Sequence, residues 1–219
     1  MANQYLPEDK LTLLCDVFIH VGDEKVDCGP KNMDQTSLEN GVYLLLEDFK
    51  SCFDDPNSGD VEISCGKKSF LCHESILSAR SPVFKTMFQA KMSEATQRIV
   101  KIDDTDEDVM GSLLQYVYTG SSSDISKHAQ SLLSAADKYD LPHLKRLCEK
   151  SLVASLNVTN VANILVLADL HQAEKLKKKV LAFIVKNPKV MGTEEWKVLM
   201  SSPSNQSLFF SVTSAFANN

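Results

Sequence analysis

The sequence lacks the short motifs that mark the common catalytic and metal-binding sites. It contains no G-x-S-x-G, no glycine-rich phosphate loop and no H-E-x-x-H. Its six cysteines form no C-x-x-C pair, and the adjacent positions of Cys72 and His73 do not suit a joint metal site. No spacing pairs a nucleophile with a base. The sequence therefore predicts a protein that is not an enzyme and holds no metal or cofactor.

The chain also lacks long apolar runs and an excess of positive charge. No apolar stretch reaches the ~18 residues that a membrane-spanning helix needs, and the opening MANQYLPEDK has no secretory leader pattern. Lys and Arg number 23 against 29 Asp and Glu, which gives a net charge of −6 and argues against nucleic acid as a partner. We expect a protein of the nucleus or cytoplasm, with reduced thiols, that contacts neither membrane nor nucleic acid.

The most informative stretch is FLCHESILSARSPVFKTMF, which runs from Phe70 to Phe88. Its helical pattern breaks at Ser81, because a residue that precedes proline is disfavoured in the helical region. Two short helices are therefore predicted. Upstream, alternating apolar residues predict a β-hairpin over residues 61–72 that turns at Gly66. Downstream, Arg98–Ile102 is predicted to be a short strand.

Helix start and stop signals follow this strand. The acidic run Asp103–Asp108 suits the start of a helix better than a calcium loop, and Thr105 is the predicted cap. Gly120 is expected to end that helix. Ser126 is predicted to cap the next helix, and Pro142 to open another. The core face of these helices is predicted to be Ala129, Leu132, Leu133, Ala136, Tyr139, Leu144, Leu147, Cys148 and Leu152.

The first part of the chain contains a strand-like run and a helix with an apolar stripe. Leu6–Val21 alternates as a strand does, Gly22–Thr36 reads as a polar linker, and Ser37 is a plausible start for a helix. A strand without a neighbour must be disordered, dock on the rest of the chain or pair with another chain. The helix stripe packs either on its own domain or on a second copy, and it consists of Leu38, Val42, Leu45, Phe49, Cys52 and Phe53.

Helical patterns fill residues 157–217. A predicted apolar seam consists of Leu208, Phe209, Val212 and Phe216. Lys175 and the run Lys177–Lys179 form a basic cluster. This cluster is either a solvated helix face or a nuclear import signal.

Two segments closely resemble BTB/POZ proteins of the speckle-type POZ family. They are H-x-x-I-L-x-A-R-S-P-V-F-x-x-M-F from His73 and A-A-D-K-Y-D-L-x-x-L-K-x-x-C-E from Ala135. The resemblance implies an α+β, mainly helical BTB/POZ fold over residues 37–156, with a short β-sheet flanked by a helix cluster. A truncated, all-helical BACK-like region would follow over 157–219. Residues 1–30 include LPEDKLTLLCDV, which is similar to the last strand of a MATH domain, and we expect the rest of that domain to be missing.

The resemblance also implies interaction sites. Met92-Ser93-Glu94 fits the hydrophobic-x-Glu pattern with which such adaptors bind cullin-3, and Tyr139 is a further position of that contact. The positions that would seal a homodimer are Leu45, Phe49, Cys52 and Ile76. Phe210 falls at the centre of a second self-association surface.

These sites lead to two hypotheses for function. In the first, the chain is a homodimeric substrate adaptor of a cullin-3 RING E3 ubiquitin ligase. In the second, it is a BTB self-assembly scaffold, or a dominant-negative dimerisation partner of related BTB proteins, without a ligase role. The segment Met92–Glu94 discriminates between them, because only the adaptor needs it. The sequence leaves the protein substrates undetermined.

Overall fold

The computed structural model describes residues 18–21, 24–27, 35–89, 98–202 and 205–217. The chain divides into two units, Met1–Glu47 and Asp48–Asn219, and the division falls inside the first helix.

The first unit contains a small hairpin and the beginning of a helix. Strands β1 (Phe18–Val21) and β2 (Glu24–Asp27) pair antiparallel, and helix α1 spans Gln35–Asp54. The predicted polar linker is therefore wrong in part, because it contains β2, and α1 begins two residues before Ser37. β1 therefore has a neighbour within its own chain, because all four of its residues pair with β2. The rest of the predicted strand, Leu6–Val17, lies outside the described residues.

The second unit contains a three-stranded sheet in the order β4-β3-β5. Strand β3 (Val61–Cys65) pairs antiparallel with β4 (Lys68–Cys72) and parallel with β5 (Ile99–Ile102). Gly66 adopts a φ of +59° in the turn of the hairpin, a conformation that glycine tolerates at little cost. The predicted hairpin and the short third strand are confirmed.

The predicted break at Ser81 is also confirmed. Helix α2 covers Glu74–Arg80 and helix α3 covers Pro82–Gln89, with Ser81 extended between them. The Ser81 hydroxyl donates to the carbonyl of Tyr139 at 2.6 Å and accepts from the Phe84 N–H at 3.2 Å. The break is therefore fixed by buried hydrogen bonds as well as by the proline.

Two predicted helix caps are wrong by one or two residues. Helix α4 (Glu107–Thr119) is capped by Asp106, whose carboxylate accepts from the two N–H groups of Asp108 and Val109. Asp106 is the cap, and Thr105 is not, because Asp106 is the residue with extended backbone angles directly before the helix. Helix α5 spans Ile125–Lys138, so that Ser126 lies inside it. Gly120 ends α4 with a φ of +72°, as predicted.

The remaining helices complete a mainly helical unit. They are α6 (Pro142–Ala154), α7 (Val161–Leu170), α8 (Glu174–Lys186), a 3₁₀ turn (Pro188–Gly192), α9 (Glu194–Ser201) and α10 (Gln206–Ala217). The predicted core face of α5 and α6 is confirmed, with Leu147 half-buried. The predicted seam on α10 is wrong at Phe209, which is exposed, whereas Leu208 and Val212 are buried. No helix among the described residues is long and apolar enough to cross a membrane.

Candidate functional site

The predicted cullin-binding segment cannot be located. Met92, Ser93 and Glu94 lie within residues 90–97, which are outside the described residues. In the sequence they follow α3 and precede β5. Their role stays a prediction.

Tyr139, the fourth predicted cullin-binding residue, is fully buried. Its ring stacks on that of Phe84 in α3, with centroids 4.6 Å apart, and its carbonyl accepts the hydroxyl of Ser81. Burial raises the pKa of the phenol. Its hydroxyl has no hydrogen-bond partner among the described residues, an arrangement that costs about 1–3 kcal/mol. In this conformation Tyr139 supports α3 and does not present its side chain to a partner.

The predicted dimer residues differ in exposure. Leu45 is 53% exposed, Phe49 is partly exposed, and Cys52 and Ile76 are partly buried against the core of the second unit. The exposed apolar surface of α1 extends beyond the predicted stripe. All residues from Val42 to Leu46 are exposed, and we call this run the α1 apolar surface. The signal was the unbroken sequence VYLLL, which covers more than one face of a helix.

Phe210, at the predicted second surface, is 68% exposed. The ring of Phe209 meets it edge-on at 6.3 Å between centroids. Two neighbouring exposed phenylalanines form a patch of the kind that marks protein contacts. Phe209 therefore joins Phe210 as a candidate contact residue.

A Ser–His–Asp arrangement, which sequence spacing did not indicate, lies where α5 meets the turn between α7 and α8. His171 Nε2 is 2.9 Å from Ser134 Oγ, and His171 Nδ1 is 3.0 Å from Asp137 Oδ2. Lys145 of α6 donates to Asp137 Oδ1 at 2.5 Å and to the carbonyl of His171 at 2.6 Å. We call these four residues the His171 network. They are separated by up to 37 residues in sequence, which is why spacing did not reveal them.

The surroundings of this arrangement do not suit acyl transfer. Ser134 lies inside α5, where backbone N–H groups are engaged in the helix and cannot form an oxyanion hole. The adjacent cleft, about 340 Å³, is lined by Asp104, Asp106 and Lys138. Lys138 is already paired with Asp104 at 2.6 Å, so the charges that line the cleft do not favour an oxyanion. The geometry instead suits a structural connection between helices.

Electrostatics strengthens this connection. Burial raises the pKa of Asp137, but the hydrogen bonds and charges of Lys145 and His171 outweigh burial, so that the net pKa is lowered. The carboxylate is therefore ionised at neutral pH and holds both cationic and imidazole partners. Such charge-assisted hydrogen bonds are among the stronger ones in proteins.

The described residues give little support to thiol or metal chemistry. Burial raises the pKa of Cys72 and of Cys148 to about 12, which keeps both as unreactive thiols. No group of three His, Cys, Asp or Glu residues within the described ranges is placed to hold a metal ion.

Comparison with known proteins gives two family matches. The model of the BTB/POZ domain matches residues 49–156, and that of the BACK domain of BPM/SPOP proteins matches residues 160–205. Among solved structures, the BTB domain of zebrafish PATZ1 is similar to this chain at 18% identity and a TM-score of 0.45. That match covers 54% of this chain and 95% of the other.

Proposed function

Since this chain belongs to the BTB/POZ proteins with a BACK domain of the BPM/SPOP kind, we propose that it is a homodimeric substrate adaptor of a cullin-3 RING E3 ubiquitin ligase. The observation that carries this proposal is the pairing of the two domains, with the BACK match starting four residues after the BTB match ends. Domains of these two kinds are typically adaptors or scaffolds, and we propose a non-catalytic role in the nucleus or cytoplasm.

Cullin-3 docks, in this proposal, on the segment that follows α3. Met92 enters an apolar groove of cullin-3, and Glu94 fixes the register through a charged hydrogen bond. Tyr139 contributes by holding α3 through its stacking on Phe84. Leu170, at the end of α7, is 71% exposed and adds apolar contact area.

Homodimerisation covers the exposed apolar side chains on one face of α1. An isologous contact buries the same surface on both copies, so that a single stripe is enough to join them. Leu45, Phe49, Cys52 and Ile76 supply this contact. Val42 and Leu46, which lie three residues from Leu45 and Phe49 on the same helix face, extend it. Exposed apolar runs of this size favour association in water.

A second candidate function is a self-assembly scaffold without a ligase role. The exposed pair Phe209 and Phe210 favours it, because a second contact surface lets dimers join into longer chains. The same surfaces would let the chain pair with related BTB proteins as a dominant-negative partner. Neither version needs Met92 or Glu94.

The two functions are separated by measuring the mass of the chain with and without the cullin-3 N-terminal region. At low protein concentration, light scattering after size-exclusion chromatography is expected to give a dimer for the chain by itself, and a complex of two chains with two cullin-3 regions in the mixture. Self-assembly that is unaffected by cullin-3, with no shared peak, would instead support the scaffold.

A further inference from the structure

A groove between α6 and α8 has an unusual concentration of positive charge for so acidic a protein. Its volume is about 280 Å³, and Arg146 and Lys150 line it from α6 while Lys175 and Lys179 line it from α8. Glu149 is the single carboxylate that lines it. The chain as a whole carries a net charge of −6. The local charge is thus opposite in sign to the net charge of the molecule.

The spacing of these cations lowers the stability of their own helices. Arg146 and Lys150 are four residues apart on one helix, and so are Lys175 and Lys179 on the other. Like charges at this spacing destabilise a helix by about 0.2–0.5 kcal/mol a pair. Two such pairs facing one groove are not required by the fold, and an anionic partner would offset their repulsion.

Among the described residues, neighbouring lysines on the same two helices, unlike the groove cations, form salt bridges. Lys145 on α6 binds Asp137, and Lys177 on α8 binds Asp169 at 2.6 Å. Within the part of the chain that the structure describes, none of the four groove cations forms a salt bridge. Their charges are therefore available to a ligand, whereas those of the adjacent lysines are already used.

The floor of the groove is apolar. Val153 is half-buried and Leu176 fully buried there, and the methylene stems of the lysines add apolar surface at the walls. A ligand that fits therefore combines negative charge with at least one apolar side chain. The volume suits one or two side chains and is smaller than a typical site for a drug-sized molecule.

We propose that the α6–α8 groove binds an acidic peptide segment of a partner protein, with an apolar side chain on the floor and carboxylates at the four cations. A concave groove with an apolar floor suits a peptide better than a flat bilayer. A nucleic acid has no apolar side chain for the floor, and the net charge of the chain repels it. The groove shares no residue with the cullin-3 and dimer contacts proposed above, and the proposal does not depend on them.

The test uses the full chain and a fluorescein-labelled peptide in which leucine alternates with pairs of glutamate, followed by anisotropy at low salt. The groove variant combines Lys150→Glu with Lys179→Glu. The matched control combines Lys178→Glu with Lys189→Glu, which are exposed positions outside the groove. We expect the groove variant to bind about tenfold more weakly and the control to change less than about twofold. A peptide with serine in place of leucine is expected to bind more weakly as well.

Each other outcome overturns the proposal. No peptide binding by the wild-type chain, or equal losses in groove variant and control, would leave only unspecific charge attraction. Binding to phosphatidylserine vesicles without peptide binding would assign the groove to a membrane surface. The same variants are also titrated with cullin-3, so that the two functions are tested separately. If the groove variant lost both ligands, and the peptide competed with cullin-3 for the wild type, the groove would be part of the cullin-3 contact. Lys150→Gln with Lys179→Gln replaces the groove variant if charge reversal impairs folding.

Discussion

His171 and Asp137 are joined by a 3.0 Å contact between Nδ1 of the imidazole and a carboxylate oxygen. The contact ties α5, in the BTB/POZ domain, to the turn between the first two helices of the BACK domain. Ser134 and Lys145 complete the connection from the BTB side. The two matched domains thus share polar contacts as well as a continuous apolar core.

Removal of the His171 side chain is expected to weaken this connection. His171→Ala leaves the partially buried Ser134 and Asp137 without their imidazole partner, and we expect a loss of about 1–2 kcal/mol in the free energy of unfolding. Urea unfolding followed by circular dichroism measures it. His128→Ala serves as control, because no hydrogen bond of His128 to another side chain occurs among the described residues. Equal effects of both substitutions would contradict a specific role of the network.

Acid is expected to weaken the same network. The pKa of Asp137 is lower in the folded chain than its unfolded value of about 3.9, so its ionised form stabilises the fold above that pH. That contribution is lost as the pH falls through the folded pKa. We expect Asp137→Asn to flatten the fall of the urea midpoint between neutral and acidic pH. It does not abolish the fall, because the pKa values of Asp104 and Asp108 are also lowered, by Lys138 and Lys68. Identical pH profiles for variant and wild type would contradict this prediction.

Charge on the α1 stripe is expected to separate the dimer. Leu45→Glu together with Phe49→Glu places two carboxylates from each copy, four in total, in the dimer contact. Light scattering should therefore give the mass of one chain. Tyr43→Glu is the matched control, since Tyr43 is also exposed but points to the opposite side of a helix from Leu45. It is expected to remain dimeric. A dimer in the double variant would rule out this surface.

The second surface is expected to control assembly beyond the dimer. Phe210→Glu should abolish concentration-dependent growth in mass while leaving the dimer intact, because charge at this exposed patch opposes its burial. Val198→Glu on α9, equally exposed, is the control and should assemble like the wild type. Growth that persists in the Phe210 variant would place the second contact elsewhere.

Features that depend on neighbouring residues could be predicted from the sequence. The hairpin turn at Gly66 and the helix break at Ser81 each depend on residues within a few positions of one another. The cap of α4 is Asp106 and not the predicted Thr105, because neighbouring polar residues compete for the same role and backbone angles decide between them. The family motifs then predicted the fold that the domain matches confirm.

Contacts between segments that are distant in the chain could not be predicted from the sequence. The approach of His171 to Ser134 and the placement of Arg146 and Lys150 opposite Lys179 depend on how helices pack, which no local pattern contains. Tyr139 shows the same limit, since helical periodicity predicted its burial but the resemblance assigned it to a partner contact. Its ring against Phe84 explains how one residue can serve the core and still influence α3.

The most direct test of the adaptor function is a calorimetric titration with the cullin-3 N-terminal region. Wild type is compared with a variant that combines Met92→Asp with Glu94→Lys, and light scattering confirms that both are dimers. The adaptor account predicts tight binding by the wild type and its loss in the variant. Absence of binding by the wild type would contradict the adaptor account and favour the scaffold. Equal binding by the variant would contradict the proposed docking site at Met92 and Glu94.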